Sequence, residues 1–160
     1  DQAISSSHRL TDPPQTATLV YDLPAALATL VHEQMQPAGI PYAFHQPAAY
    51  PDIAPSLATV LLGVAQASCT HICKYAKASQ VDLYLLAAGD MLILELIDNG
   101  VGFALDHVEP SGYLGLDRLR ARIESLGGEL YIASRLGKGT LVHAAVPITA
   151  LPHEHAHYAA

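Results

Sequence analysis

The chain has 160 residues, 51% of them hydrophobic and only 14% charged, with a formal net charge of −7. That length and apolar share fit one domain with a core of its own. The acidic balance argues against a nucleic-acid binder, which needs clustered Lys and Arg to hold phosphates. No stretch approaches the ~20 continuous apolar residues that cross a bilayer, and the polar start, Asp1 to Ser7, carries no secretory leader. The chain opens without Met and reads as a piece of a longer protein. Two cysteines and no leader suggest a cytoplasmic setting with free thiols.

In chain order, residues 1–15 are polar with two prolines and read as a linker or the end of a preceding helical domain. Thr16 to Tyr21 is rich in β-formers and predicts a short strand. Asp22-Leu23-Pro24 then opens a helix, with Asp as N-cap and Pro in the first turn. Leu23, Leu27, Leu30 and Val31 share one face, and the helix fades by Gln36 to Gly39. Ile40 to Phe44 predicts an edge strand, given Pro41, and His45 to Pro55, with three prolines, a loop. From Ser56 to Ala76 the residues Leu57, Val60, Leu61, Val64, Ser68 and Ile72 recur at helical spacing, so a long helix should lie against a sheet.

Val81, Leu83 and Leu85 alternate with Asp82 and Tyr84, a half-buried strand. Gly89-Asp90 turns it into the almost wholly apolar run Met91 to Ile97, which should be central. Phe103 to Gly112 reads as a loop carrying Asp106, His107 and Glu109, and Leu114 to Leu126 as an amphipathic helix capped by Gly127-Gly128. Glu129 to Ser134 and Thr140 to Pro147 form a closing hairpin around Gly-Lys-Gly, and the Ala- and His-rich tail, 149–160, reads as disordered. Residues 16–148 are thus one α+β domain, a two-layer sandwich of a mixed, mostly antiparallel sheet with helices on one face. No G-x-x-x-x-G-K-[ST] segment is present, which argues against a P-loop site.

The chemistry gathers at Asp98-Asn99-Gly100-Val101-Gly102-Phe103, directly after the apolar strand. A carboxylate at a strand end can accept hydrogen bonds from a ligand amino group, and glycines let a flat or phosphorylated ligand approach the main chain. By itself this is the pattern of a glycine turn. What points to a site is its company downstream, Gly112-Tyr113-Leu114-Gly115-Leu116 and Gly137-Lys138-Gly139-Thr140.

With the helix Ser56–Ala76 preceding them, these boxes resemble the ATP-binding catalytic domain of bacterial sensor histidine kinases. That domain belongs to the gyrase and histidine-kinase ATPase superfamily, the Bergerat fold. The nitrate-sensor-like subtype is suggested by Leu114-Gly115-Leu116-Asp117-Arg118-Leu119-Arg120-Ala121-Arg122 followed by Leu126-Gly127-Gly128. The resemblance covers about Thr16 to Pro147 and implies roles for the matched positions. Asp98 would accept the adenine amino group, with Gly100 and Gly102 shaping the adenine pocket. Gly112, Gly115 and Leu116 would form the lid end and the helix N-terminus facing the phosphates, where exposed N–H groups favour anions. Gly137, Gly139 and Thr140 would complete the wall, and Lys74 would contact a phosphate.

The resemblance also implies ATP or ADP as ligand, a helical dimerisation and phosphoacceptor domain as partner, and a response regulator reached indirectly. The full-length kinase would be membrane-anchored, with this piece touching neither membrane nor nucleic acid. One departure matters: the family's asparagine-containing helix carries a glutamate and, four residues later, a Mg²⁺-holding asparagine. Aligned through Lys74-Tyr75-Ala76, those positions are Ala67 and His71. Alanine takes no proton, and an imidazole nitrogen is a poor ligand for a hard ion that prefers oxygen. Weak Mg-ATP turnover or none is therefore expected, with His71 the one candidate metal ligand at this position.

Other candidates are weaker. Cys69 and Cys73 share a helical face, but His71 projects to nearly the opposite side, so a three-ligand site is geometrically poor and two buried thiols are expected. His153-Glu154-His155-Ala156-His157 would chelate a metal only as a flexible tail. His32, His45, His107 and His143 show no partner in the sequence. Arg118, Arg120 and Arg122 suit either phosphates or a solvated face, and Asp106 with Glu109 has no neighbouring nucleophile.

Overall fold

The structure is a computed structural model describing residues 22–104 and 115–149. The strand expected at Thr16 to Tyr21, the loop residues Asp106, His107, Glu109 and Gly112, and the His-rich tail from residue 150 lie outside the described residues. Helix α1 spans Leu23–Ala38, with the Asp22 side chain accepting from the Ala25 N–H at 3.3 Å and Pro24 in its first turn. Gly39 ends it in the left-handed conformation (φ 69°), its N–H turned back on the carbonyls of Met35 and Gln36. The first strand, β1 (Tyr42–His45), follows Pro41 and lies at the sheet edge, where a missing N–H is tolerated.

Helix α2 runs from Pro55 to His71 and buries Leu57, Val60, Leu61, Val64 and Ser68. The expected single helix to Ala76 is in fact two: the chain widens into a π-helical turn at Ile72–Ala76 and stops at Lys77 in the left-handed region (φ 52°). Such widened turns are frequent at functional sites. With a mean hydropathy of 1.4, the 22 residues Pro55–Ala76 have the length and apolar character of a membrane span. Their buried stripe instead faces the helices and strands of the core.

Among the described residues, strands β2 (Val81–Ala88), β3 (Met91–Asp98), β4 (Glu129–Arg135) and β5 (Gly139–Pro147) join β1 in a five-stranded sheet in the order β1-β2-β3-β5-β4. Among the described strands only β1 and β2 pair in parallel. Helix α3 spans Asp117–Ser125, three residues shorter at its start than the periodicity suggested, since Gly115 (φ 63°) turns the chain just before it. Its end at Gly127-Gly128 is as expected, with both N–H groups folded back on α3 carbonyls.

Strand alternation assigns the two faces. Val81, Leu83 and Leu85 of β2, Leu92, Leu94 and Leu96 of β3, and Val142, Ala144 and Val146 of β5 are buried under the helices. The opposite face carries Tyr84, Glu95, His143 and Tyr131, one from each of four strands in a single transverse row. The fold is therefore α+β, a mixed and mostly antiparallel sheet with helices packed on one face.

Candidate functional site

Asp98 is the last residue of β3 and belongs to the covered face. The sheet register sets it in a row with Val81 of β2, Thr140 of β5 and, beyond Thr140, Ser134 of β4. Along β3 that face otherwise holds leucines, so the carboxylate sits at the end of a hydrophobic wall. It is only 4% exposed. One oxygen accepts from the Gly100 N–H at 2.8 Å, and the Thr140 N–H also supports it. Burial nevertheless pushes its pKa above the ordinary 3.8, against the pull of those two N–H groups. Among the described residues no cation pairs with it.

The turn after Asp98 is held from both sides. Asn99 accepts from the Ser79 and Gln80 N–H groups, each at 2.9 Å, and its amide donates to the Ser79 hydroxyl at 2.9 Å. The Val101 N–H donates to the carbonyl of Ala76, the last residue of the π-helical turn, at 2.7 Å. On the other side the Gly137 N–H donates to the Val101 carbonyl at 2.7 Å, and the Phe103 N–H to the Ser134 hydroxyl at 2.9 Å.

The two glycines of the turn are required by this packing. A Cβ at Gly100 would overlap the Ala76 carbonyl, and one at Gly102 (φ 60°) would overlap the Arg135 carbonyl. The expectation that these glycines make room for a ligand is thus modified: the space is taken by the chain itself, and what they secure is the position of Asp98.

At this end of the sheet a cleft of about 440 Å³ is lined by Asp98, Ser134, Lys138, Gly139 and Thr140 together with Ile97, Leu141, Ala133 and Arg135, which alternate onto the open face. The sequence-predicted residues Asp98, Gly100, Gly102, Gly137, Gly139 and Thr140 are therefore brought together. Lys74 is exposed on the π-helical turn, two residues before the Ala76 that abuts Gly100. Gly115 and Leu116 stand at the start of α3, apart from the lining of this cleft, and Leu116 is 1% exposed, its side chain in the core. Gly112 lies outside the described residues.

Sequence reasoning missed Asn99, Ser134 and Lys138. The signal for Ser134 was available: pairing the two predicted strands from their turn-side ends sets Ser134 opposite Thr140, as observed. Asn99 and Lys138 stood within the named motifs, but nothing in a linear motif shows which neighbour becomes a brace and which a lining.

Ala67 packs against the core, and the His71 ring lies 5.1 Å from the Tyr75 ring and 6.0 Å from that of Phe103. Burial lowers the His71 pKa, so the imidazole is neutral at physiological pH. No group of three or more His, Cys, Asp or Glu side chains able to hold a metal occurs among the described residues. At the position of His71 the side chain offers nitrogen, where a hard cation prefers oxygen.

The expectation of two buried thiols is half corrected. Cys69 is buried and its pKa is pushed up to about 12, but Cys73 is exposed, its Sγ donating to the Gln34 carbonyl at 3.4 Å. Three histidines without partners in the sequence have them in the structure: His32 with Tyr42, His45 with Asp82 and His143 with Glu95. Arg118 and Arg122 are exposed, whereas Arg120 donates to the Leu130 carbonyl at 3.3 Å and helps fix α3 to β4.

Comparison with known proteins bears on the family and the fold. A sequence model described as "Histidine kinase-, DNA gyrase B-, and HSP90-like ATPase" matches residues 57–150, more than half of the chain. Over 88 residues the chain is 36% identical to the sensor histidine kinase LiaS of Bacillus subtilis (strain 168), a match spanning 55% of this chain and 24% of LiaS. The chain thus corresponds to about a quarter of that relative's length.

Among solved structures, the histidine kinase domain of the Erythrobacter litoralis EL346 blue-light activated histidine kinase superposes with a TM-score of 0.68. The identity is 22%, over 79% of this chain and 61% of that one. Full-length ShkA in complex with AMPPNP superposes with a TM-score of 0.63 at 22% identity, over 83% of this chain and 31% of that one. At such identity these structures bear on the fold.

Proposed function

We propose that this chain, which belongs to the histidine kinase-, DNA gyrase B- and HSP90-like ATPase family, is the ATP-binding catalytic domain of a two-component sensor histidine kinase. The observation that carries the reading is Asp98: a carboxylate 4% exposed, braced by backbone N–H groups, unpaired with any described cation and at the margin of a cleft. A buried carboxylate in that state is poorly compensated until a donor arrives. Its remaining lone pairs suit the amino group of adenine. Thr140 and Gly139 close the wall beside it, and the Asn99 brace keeps the carboxylate in place as the ligand enters.

Lys74, exposed on the π-helical turn, is the candidate phosphate contact, with Gly112, Gly115 and Leu116 completing the phosphate end. ATP, when bound, supplies the γ-phosphoryl group, which passes to a histidine of a partner helical domain and from there to a response regulator. The work left to this chain is positioning and charge stabilisation. It would act on the cytoplasmic side of a membrane-anchored kinase of the nitrate-sensor-like subtype.

Mg²⁺ fits poorly. Ala67 and His71 occupy the two positions where the resemblance calls for a glutamate and an asparagine, and His71 offers a neutral nitrogen set between the Tyr75 and Phe103 rings. We expect ATP binding that depends little on Mg²⁺, checked by isothermal titration with the metal present and absent. Tight binding seen only with Mg²⁺ overturns that expectation.

The same two residues favour a second reading, a module that binds ATP or ADP and regulates without transferring phosphate. The double substitution Ala67→Glu with His71→Asn separates the two. Phosphotransfer to a partner helical domain that appears only in the double variant supports the second reading, and phosphotransfer by the unaltered chain supports the first.

A further inference from the structure

The cleft at the end of the sheet has two sides of unlike chemistry. Asp98 and Thr140 belong to the face covered by the helices, whereas Ile97, Ala133, Arg135 and Leu141 alternate onto the open face. On that open side Ile97, Leu141 and Ala133 lie in one transverse row, so the floor is apolar. Its rim is the turn joining β4 to β5, where Arg135 and Lys138 bracket Leu136 and Gly137. Leu136 is 68% exposed, Val101 46% and Ile97 38%. A single exposed apolar side chain needs no explanation, but these three gather at one end of the sheet. The Gly137 N–H donates to the Val101 carbonyl at 2.7 Å and the Lys138 N–H to that of Arg135 at 2.9 Å. The turn is thus fixed before any partner arrives, and a patch ordered in advance costs less to occupy.

The charges on this patch are also left over. Every ion pair among the described residues has a histidine on its basic side: Asp82 meets His45, and Glu95 and Glu129 meet His143. These carboxylates of the open face have partners of their own. Arg135 and Lys138 are both exposed, and no carboxylate shares the open side of the lining with them. In a chain of net charge −7 this is a local reversal of sign.

We propose that the open side of this cleft docks a short acidic and apolar segment of another polypeptide, its carboxylates on Arg135 and Lys138 and its apolar side chains on Ile97, Leu136 and Leu141. Side chains standing on one face of a sheet make a floor and not an enclosure, which suits a chain laid across it better than a small molecule. Arg135 can grip a carboxylate with two parallel N–H donors, and Lys138 adds a point charge. The surface is separate from the covered-face carboxylate assigned to the nucleotide, so the proposal does not need that assignment.

The test is fluorescence anisotropy of the full chain with a labelled peptide in which glutamates flank two leucines, nucleotide being absent. Two counterpart peptides carry lysine for glutamate and serine for leucine. The acidic chain repels the glutamate peptide elsewhere, so binding reports the patch. We expect Arg135→Glu with Lys138→Glu to weaken it at least ~tenfold and to let the lysine peptide bind in its place. Serine for leucine should cost on the order of fivefold, and Leu136→Ser about threefold. Should the charge-reversed chain not fold, Arg135→Gln with Lys138→Gln replaces it, with a loss of about fivefold expected for the glutamate peptide. The proposal fails if the unaltered chain does not bind the glutamate peptide, or binds it regardless of these cations. It fails equally if the serine peptide binds as well, since the attraction is then charge alone. Displacement by saturating ATP would give the two cations to the nucleotide and overturn it. So would self-association of the unaltered chain that Leu136→Ser abolishes, because a second copy then fills the face.

Discussion

The two faces of the sheet carry two carboxylates under opposite conditions. On the open face Glu95 sits in a row with Tyr84, His143 and Tyr131, and its carboxylate meets the His143 ring at 2.7 Å. That imidazole also lies 3.7 Å from Glu129 and stacks on Tyr131 with ring centres 4.6 Å apart. Glu95 has a partner and stands close to water. On the covered face, three residues along the same strand, Asp98 is enclosed by the core and held by backbone N–H groups alone. The first arrangement is complete as it stands. The second leaves lone pairs in a dry place beside a cleft, and such a group persists when a ligand completes it. Two acidic residues on one strand thus read differently, one as cross-strand pairing and the other as a receptor.

The largest expected effect breaks the comparison at Asp98. Asp98→Asn keeps an oxygen for Gly100 but removes the charge that receives the purine amino group. ATP affinity should fall roughly 10- to 100-fold, the range of a hydrogen bond to a charged acceptor. The ligand-free protein should become more stable near neutral pH. Burial raises the folded pKa above 3.8, so the folded chain holds the proton to higher pH than the unfolded chain does. This group's contribution to folding is most favourable below pH 3.8 and is lost as pH rises through the folded value. Asp98→Asn removes that slope, and denaturant titrations at two pH values, one on either side of the window, measure it. An Asp98→Asn chain that is less stable at neutral pH with its nucleotide affinity intact would make Asp98 the counterpart of Glu95, and the receptor reading would go.

Next in size is the frame around the carboxylate. Gly100 is not in a left-handed conformation, so its need for glycine comes only from the Ala76 carbonyl against it. Gly100→Ala should destabilise the fold by about 2 kcal/mol, the scale of overpacking in a tight contact, and lower nucleotide affinity as the turn shifts. Thermal unfolding with and without ATP separates the two effects. Unchanged stability would mean that the π-helical turn yields easily and does not position Asp98.

Much of this was legible in the sequence. The central strand, the two halves of the hairpin and the capped helix at Asp22 follow from alternation, turn chemistry and a capping carboxylate, all local signals. Asp98 stood out because a carboxylate ending an apolar run is locally out of place. The rest was not local. The π-helical turn at Ile72–Ala76 has no signature in Ile-Cys-Lys-Tyr-Ala, and it is what brings the Ala76 carbonyl to Gly100 and Val101. The partners of His32, His45 and His143 lie across α1 and the strands, and they appear only once register is known. The role of Asn99 depends on a loop 20 residues earlier in the chain.

The smallest effects sharpen the open-face half of the comparison. Glu95 is 25% exposed at its side chain and bonds His143 at 2.7 Å, whereas Glu129 is 67% exposed and only approaches the other ring nitrogen at 3.7 Å. Cross-strand polar pairs contribute about 0.2–1 kcal/mol, and exposed pairs tend to the low end through screening and side-chain entropy. Glu95→Gln, which keeps an acceptor for the imidazole, should therefore lower stability by about 0.5 kcal/mol, and Glu129→Gln by a few tenths at most. Neither should move ATP affinity, since neither side chain lines the cleft. Denaturant melts at low and high salt check the ranking. Equal, salt-sensitive losses for the two would mean that His143 is held by the summed field of both carboxylates, and the open face would then be an ionic network instead of a single bond with an exposed neighbour.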